Sequence, residues 1–215
     1  MIRVRVQHHP SRSHLIPELL ERLAPLPTEV VTHESDPPSP WGGYLSCMTD
    51  IPRCKHLLIV QDDVQIADNF VPALHDIART KPDDPVCLFL AKLPRDVSHE
   101  AAKAMKYGQR YVRVNWRSFL PIVAILWPTV KLREFRDWAL ANPGLPGQRI
   151  PRSDDAMGGR WKMVNRQTVW ATVPSIVEHP DIEPSTIGTR ASAGRDRGRV
   201  AWLFARDAMR YDWTL

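Results

Sequence analysis

The chain has 215 residues, of which 43% are apolar and 25% charged, a balance ordinary for one full-sized globular domain. No apolar run is long enough to cross a bilayer, and Met1-Ile2-Arg3-Val4-Arg5-Val6 alternates instead of forming a leader core, so no membrane partner and a cytoplasmic location are expected. The net charge of +5 favours polyanionic partners, and three cysteines, Cys47, Cys54 and Cys87, without paired CxxC spacing argue against a disulfide framework and a structural zinc site.

In chain order, Ile2 to Gln7 reads as a strand and Arg12 to Leu23 as a helix with Leu15, Leu19, Leu20 and Leu23 on its apolar side. Thr28 to Thr32 is a second, β-branched strand, and Pro37-Pro38-Ser39-Pro40 then interrupts regular structure. A short helix is expected over Trp41 to Thr49, followed by a strand through Val60 and a helix from Phe70 to Thr80 capped by Asn69. Val86 to Leu90 reads as a buried strand and Ser98 to Tyr107 as a helix with Ser98 as N-cap. Strands are expected over Tyr111 to Asn115 and Phe119 to Trp127, the second assigned to an edge or a bulge because of Pro121. Helices follow over Pro128 to Ala141 and from Ser153-Asp154-Asp155 to about Trp161, and a late strand over Val169 to Thr172. The alternation predicts an α/β, Rossmann-like sandwich with a mainly parallel central sheet. We expect one domain over residues 1–185 and a basic extension over 186–215, where Arg190, Arg195, Arg197, Arg199, Arg206 and Arg210 gather.

Chemistry concentrates at strand ends. His56-Leu57-Leu58-Ile59-Val60-Gln61-Asp62-Asp63-Val64 is an apolar run ending in two adjacent carboxylates. Ligands of parallel sheets bind beyond the carboxyl ends of the strands, and neighbouring negative charges call for a cation. Asp154-Asp155 and Glu178-His179 fall at comparable positions. Asp63 with His179 suits Mn²⁺ or Mg²⁺, and such an ion would hold the two phosphates of a nucleotide diphosphate. Asp155 is then free to act as a general base, although Asp62, Asp63, Asp154 and Asp155 also suit helix caps and His179 an ordinary loop. Arg12, after His8-His9-Pro10-Ser11, is placed to pair with a diphosphate. Asp36 and Trp41-Gly42-Gly43-Tyr44 follow the second strand, where the glycines allow a nucleotide to approach and Trp41 or Tyr44 to stack, or simply form a turn.

The succession Leu-Leu-Ile-Val-Gln-Asp-Asp-Val, Ser-Asp-Asp followed by a tryptophan, and Val-Pro-Ser-Ile-Val-Glu-His-Pro resembles the small GT-A type glycosyltransferases. In style it is nearest to lipopolysaccharide galactosyltransferases and to related bacteriophage proteins. The resemblance spans roughly Ile2 to Ser185. It implies a hexosyltransferase whose DxD-type strand end holds metal and nucleotide sugar, with a UDP-sugar as the favoured donor. Carried over residue by residue, Asp63 is the direct metal ligand, Asp62 binds ribose or sugar hydroxyls, and His179 completes the protein part of the metal shell. Gln61 departs from the pattern, because that family often has an acid there. Ser153-Asp154-Asp155 resembles the xED motif of inverting enzymes, which makes Asp155 the base and Asp154 the next candidate.

The acceptor is expected to be a hydroxyl, with 5-hydroxymethylated bases of double-stranded DNA as one option; Arg195, Arg197 and Arg199 are then the candidate phosphate contacts, and a phage-encoded enzyme would act in the host cytoplasm. A glycan or protein acceptor, or a non-catalytic nucleic-acid-binding protein on the same frame, are the alternatives.

Overall fold

The computed structural model describes residues 1–35, 39–91, 95–114, 122–143, 154–180 and 200–215. Strand β1 (Ile2–His8) alternates so that Ile2, Val4, Val6 and His8 share a buried face. A 3₁₀ turn over Pro10–Leu15 and helix α1 (Ile16–Leu23) return the chain to β2 (Thr28–Thr32). Helix α2 (Pro40–Ser46) then leads to β3 (His56–Gln61), whose first five residues are all buried. The remainder runs β4 (Gln65–Ile66), α3 (Phe70–Thr80), β5 (Val86–Cys87), α4 (Arg95–Lys106), β6 (Tyr111–Arg113), β7 (Ala124–Pro128), α5 (Thr129–Ala141), α6 (Asp154–Val164), β8 (Trp170–Thr172) and β9 (Val177–Glu178).

Seven strands form one sheet in the order β2-β1-β3-β7-β5-β8-β6, and β4 pairs with β9 in a separate ribbon. β2, β1, β3, β5 and β8 point one way while β7 and β6 run against them, so the fold is the expected α/β sandwich with a sheet parallel in most of its strand directions. Both faces are covered. One carries Leu19, Leu23, Phe70, Leu74 and Ile77 from α1 and α3. The other carries Tyr44, Leu132, Phe135 and Trp161 from α2, α5 and α6, where Trp127 stacks on Phe135 with ring centres 5.4 Å apart.

Several local expectations change. Of the edge and the bulge expected for the strand over Phe119 to Trp127, the edge is excluded: β7 lies between β3 and β5 with every residue buried, and Pro128 sits at its last position, while Pro121, the expected place of the bulge, lies outside the described residues. The helix expected over Arg12 to Leu23 is α-helical only from Ile16; before it lies the 3₁₀ turn, in which Arg12, with φ −113° and ψ 18°, leaves helical geometry. Asn69 does not cap α3; its φ is 54°, and its amide instead donates to Asp207 Oδ1 at 3.1 Å. Ser98 lies inside α4, which starts three residues earlier.

Part of the stretch expected as a basic extension is folded. Residues 200–215 pack on the sheet: Trp213 is fully buried, its indole donates to Ala208 O at 2.9 Å, and Ala205 N donates to Ser175 O at 2.9 Å. Glu178 Oε1 accepts from Ala201 N at 2.7 Å. Arg206 and Arg210 therefore belong to a folded segment, whereas Arg195, Arg197 and Arg199 fall outside the described residues. We expect Trp213→Ala to cost about 3–5 kcal/mol, the range for emptying a large aromatic site. Urea unfolding measures it, and a loss below about 0.5 kcal/mol would restore the picture of a solvated extension.

Candidate functional site

The chain passes from β1 to β2 on one side of β1, then to β3 on the other, so the strand order reverses between β1 and β3. At such a switch point the connections diverge and leave a crevice beyond the carboxyl ends of the strands. His8 ends β1 there, and Asp62 and Asp63 follow β3.

Asp62 is 3% exposed and fully engaged. Its Oδ2 lies 2.9 Å from His8 Nδ1 and accepts from His9 N at 2.8 Å, and its Oδ1 accepts from Arg12 Nη1 at 3.1 Å. The same Arg12 nitrogen is 2.8 Å from Asp63 Oδ2. A guanidinium that stays charged at all working pH values thus bridges both carboxylates, and the need for a cation, inferred from the sequence, is met in part by the protein itself.

Antiparallel pairing of β4 with β9 sets Gln65 opposite Glu178, which carries His179 back to Asp63 with Nε2 3.2 Å from Oδ2. Burial alone would raise the Asp63 pKa, but the His179 hydrogen bond and charge, with Arg12, outweigh it and hold the carboxyl below its ordinary value. Asp63 Oδ1 and His179 Nδ1 are buried with no hydrogen-bond partner among the described residues. Glu178 serves the backbone, accepting from His179 N at 2.8 Å and from Ala201 N.

On β3, Gln61 points to the opposite layer. Its amide nitrogen is 3.5 Å from Asp154 Oδ2, a long contact at the start of α6. Asp154 is 5% exposed, and burial raises its pKa to about 6, a shift opposed by hydrogen bonds from the Asp155 and Asp154 backbone. Asp155 is only half-buried, and its N–H donates to Asp154 Oδ1 at 3.0 Å. The three acidic and histidine clusters read from the sequence therefore meet at one end of the sheet.

Other expectations separate from this site. Trp41 and Tyr44 are core residues: Tyr44 OH accepts from Trp127 Nε1 at 2.8 Å, and Trp41 lies 6.0 Å from the Phe135 ring. The two glycines make room for the protein's own side chains, since a Cβ at Gly42 would meet His33 Nε2 at 2.6 Å and one at Gly43 would meet Gln7 Nε2 at 3.0 Å. Asp36 lies outside the described residues. Cys47 and Cys87 are buried, which pushes both thiols up, Cys47 to about 12, and the three cysteines are unbridged.

His8 carries no role in the sequence reading, yet it is the buried partner of Asp62. The signal was available in the alternation of β1, which places position 8 on the face of Ile2, Val4 and Val6.

Among the described residues, no group of three or more His, Cys, Asp or Glu side chains is arranged to hold a metal ion, and no helix is long and apolar enough to cross a membrane. The chain matches no protein-family model and no curated protein sequence.

Proposed function

We propose that the protein is a GT-A-like glycosyltransferase that moves a hexose from a nucleotide diphosphate sugar, with UDP as the first carrier to test, to an acceptor hydroxyl. The observation that carries this reading is convergence. Asp62-Asp63, Asp154 and His179 lie up to 117 residues apart in the chain, yet they assemble beyond β3 at the switch point of the sheet, where α/β folds receive nucleotides.

A hard divalent ion fits the donor set. Asp63 and His179 Nε2 present a carboxylate and an imidazole 3.2 Å apart, and Asp63 Oδ1 is a further buried oxygen lacking a hydrogen-bond partner among the described residues. Two protein ligands suffice when the substrate's phosphates and water complete the shell. When bound, the ion supplies charge stabilisation to the departing diphosphate.

The chain's own residues do the rest. Arg12 lies beside the carboxylates, where it would pair with an anionic phosphate group, and His8 and the His9 N–H hold Asp62 in place. Asp154 is the first general base to test, because burial raises its carboxyl pKa to about 6, near the neutrality where a base works best, with Asp155 beside it as the second candidate. It would take the acceptor hydroxyl's proton as the new bond to the sugar's anomeric carbon forms and the bond to the diphosphate breaks.

The test is a screen of nucleotide sugars with Mn²⁺, Mg²⁺ or chelator, against hydroxymethylcytosine DNA, plain DNA and simple glycans, read by mass shift. Metal-dependent consumption of a nucleotide sugar is the expected result, and the acceptor arm assigns the substrate. No consumption of any donor with either metal overturns the reading and leaves a non-catalytic binding role.

A further inference from the structure

Arg12 poses a problem for any ion that binds Asp63. Its Nη1 is already 2.8 Å from Asp63 Oδ2 and 3.1 Å from Asp62 Oδ1, with the side chain 12% exposed. A guanidinium keeps its charge at every working pH. A divalent ion on Asp63 would therefore meet a fixed positive charge on the same carboxylate, well inside the distance over which solvent ions screen. Asp62 offers no relief, because its two oxygens are taken up by His8, the His9 N–H and Arg12. Asp63 Oδ1 is the carboxylate oxygen left buried with no hydrogen-bond partner among the described residues.

A diphosphate changes this balance. Planar guanidinium groups match phosphate oxygens in pairs, so an incoming diphosphate competes with the carboxylates for Arg12. Arg12 lies off helical geometry within the 3₁₀ turn that follows β1, and its neighbour Ser13 is held by His8 Nε2 at 3.1 Å.

We propose that Arg12 is a resident cation that competes with the divalent ion for Asp63 and moves to the donor's diphosphate, so that the site resists the bare metal ion and admits it together with the nucleotide. This rests on the functional reading above. It assigns Arg12 a positioning role through two opposed effects: it weakens binding of the bare ion and strengthens binding of the bare diphosphate. By linkage, each ligand then favours the other.

The test uses the full chain as wild type, Arg12→Gln and Arg12→Lys, with Arg12→Met as a second neutral variant that retains much of the apolar stem. Mn²⁺ alone is titrated by the electron paramagnetic resonance of free ion, and UDP alone in chelator by calorimetry. We expect the neutral variants to bind Mn²⁺ about tenfold more tightly and UDP about tenfold more weakly, within the usual range of coupling between sites. Arg12→Lys, which keeps the charge, should stay near wild type for Mn²⁺. Simple structural damage would weaken both ligands, so the opposite signs distinguish the two. Mn²⁺ binding by a neutral variant that is no tighter than wild type overturns the role of Arg12 and leaves the transferase reading standing. Absence of binding of either ligand to every variant overturns both.

Discussion

Asp63→Asn is expected to lower sugar transfer by about 10²–10³-fold, the scale seen when a preorganised electrostatic partner of the reacting groups is removed. The substitution keeps the shape of the side chain and removes its charge. In the wild type, His179 and Arg12 hold the Asp63 carboxyl below the ordinary carboxylate range, so it is ionised throughout the working pH range. Asparagine offers one neutral oxygen in its place, a much weaker ligand for a hard cation. The fold should survive, because Arg12 retains Asp62 at 3.1 Å and Asp62 retains His8 and the His9 N–H. Initial rates of donor consumption, with circular dichroism as the control for folding, check this result. Wild-type turnover by a folded Asp63→Asn protein would remove Asp63 from the machinery.

Asp154→Asn is expected to move activity and stability in opposite directions. In the proposed role of general base, Asp154 should contribute about 10²–10⁴-fold to turnover, with donor affinity little changed. Its stability effect follows from burial. The folded-state pKa is raised from 3.8 to about 6, so between those values the folded protein holds a proton that the unfolded chain has released. Stability therefore falls as pH rises through that window, and above it the whole cost of a buried charge is present. Asparagine carries no such cost, so the variant should be about 1–3 kcal/mol more stable at about pH 8, with the gain fading towards about pH 4. Urea unfolding at the two pH values reads one effect and kcat the other. If the variant is instead destabilised at about pH 8 and turns over normally, Asp154 is a structural polar group. If Asp155→Asn removes turnover and Asp154→Asn does not, the base is Asp155, as the Ser153-Asp154-Asp155 motif by itself implies.

Much of the secondary structure was legible because it is set by neighbours in the chain. The β-branched run Thr28–Thr32 and the amphipathic Phe70–Thr80 have the predicted limits, and the buried apolar run His56–Gln61 ends, as read, in the carboxylates of the candidate site. The misreadings share a cause. Trp41 and Tyr44 look like stacking residues beside two glycines, but their environment is made by Phe135 and Trp127, more than 80 positions away. Pro121 suggested an edge, whereas the place of β7 is decided by the antiparallel register that pairs Ile59 with Ile125 and Cys87 with Ile125 on its two sides.

By itself the sequence determined that this is an α/β protein and that the apolar strand His56–Gln61 ends in adjacent carboxylates. Periodicity and composition report how each segment is buried, and these features need nothing more. Tertiary structure alone decided which charges meet. Arg12 reaches both Asp62 and Asp63, His8 closes on Asp62, and the β4–β9 register returns His179 to Asp63. Each of these contacts joins residues 50 or more positions apart. Such pairings are set by strand register and by the layering of helices on the sheet, which no local pattern of residues encodes.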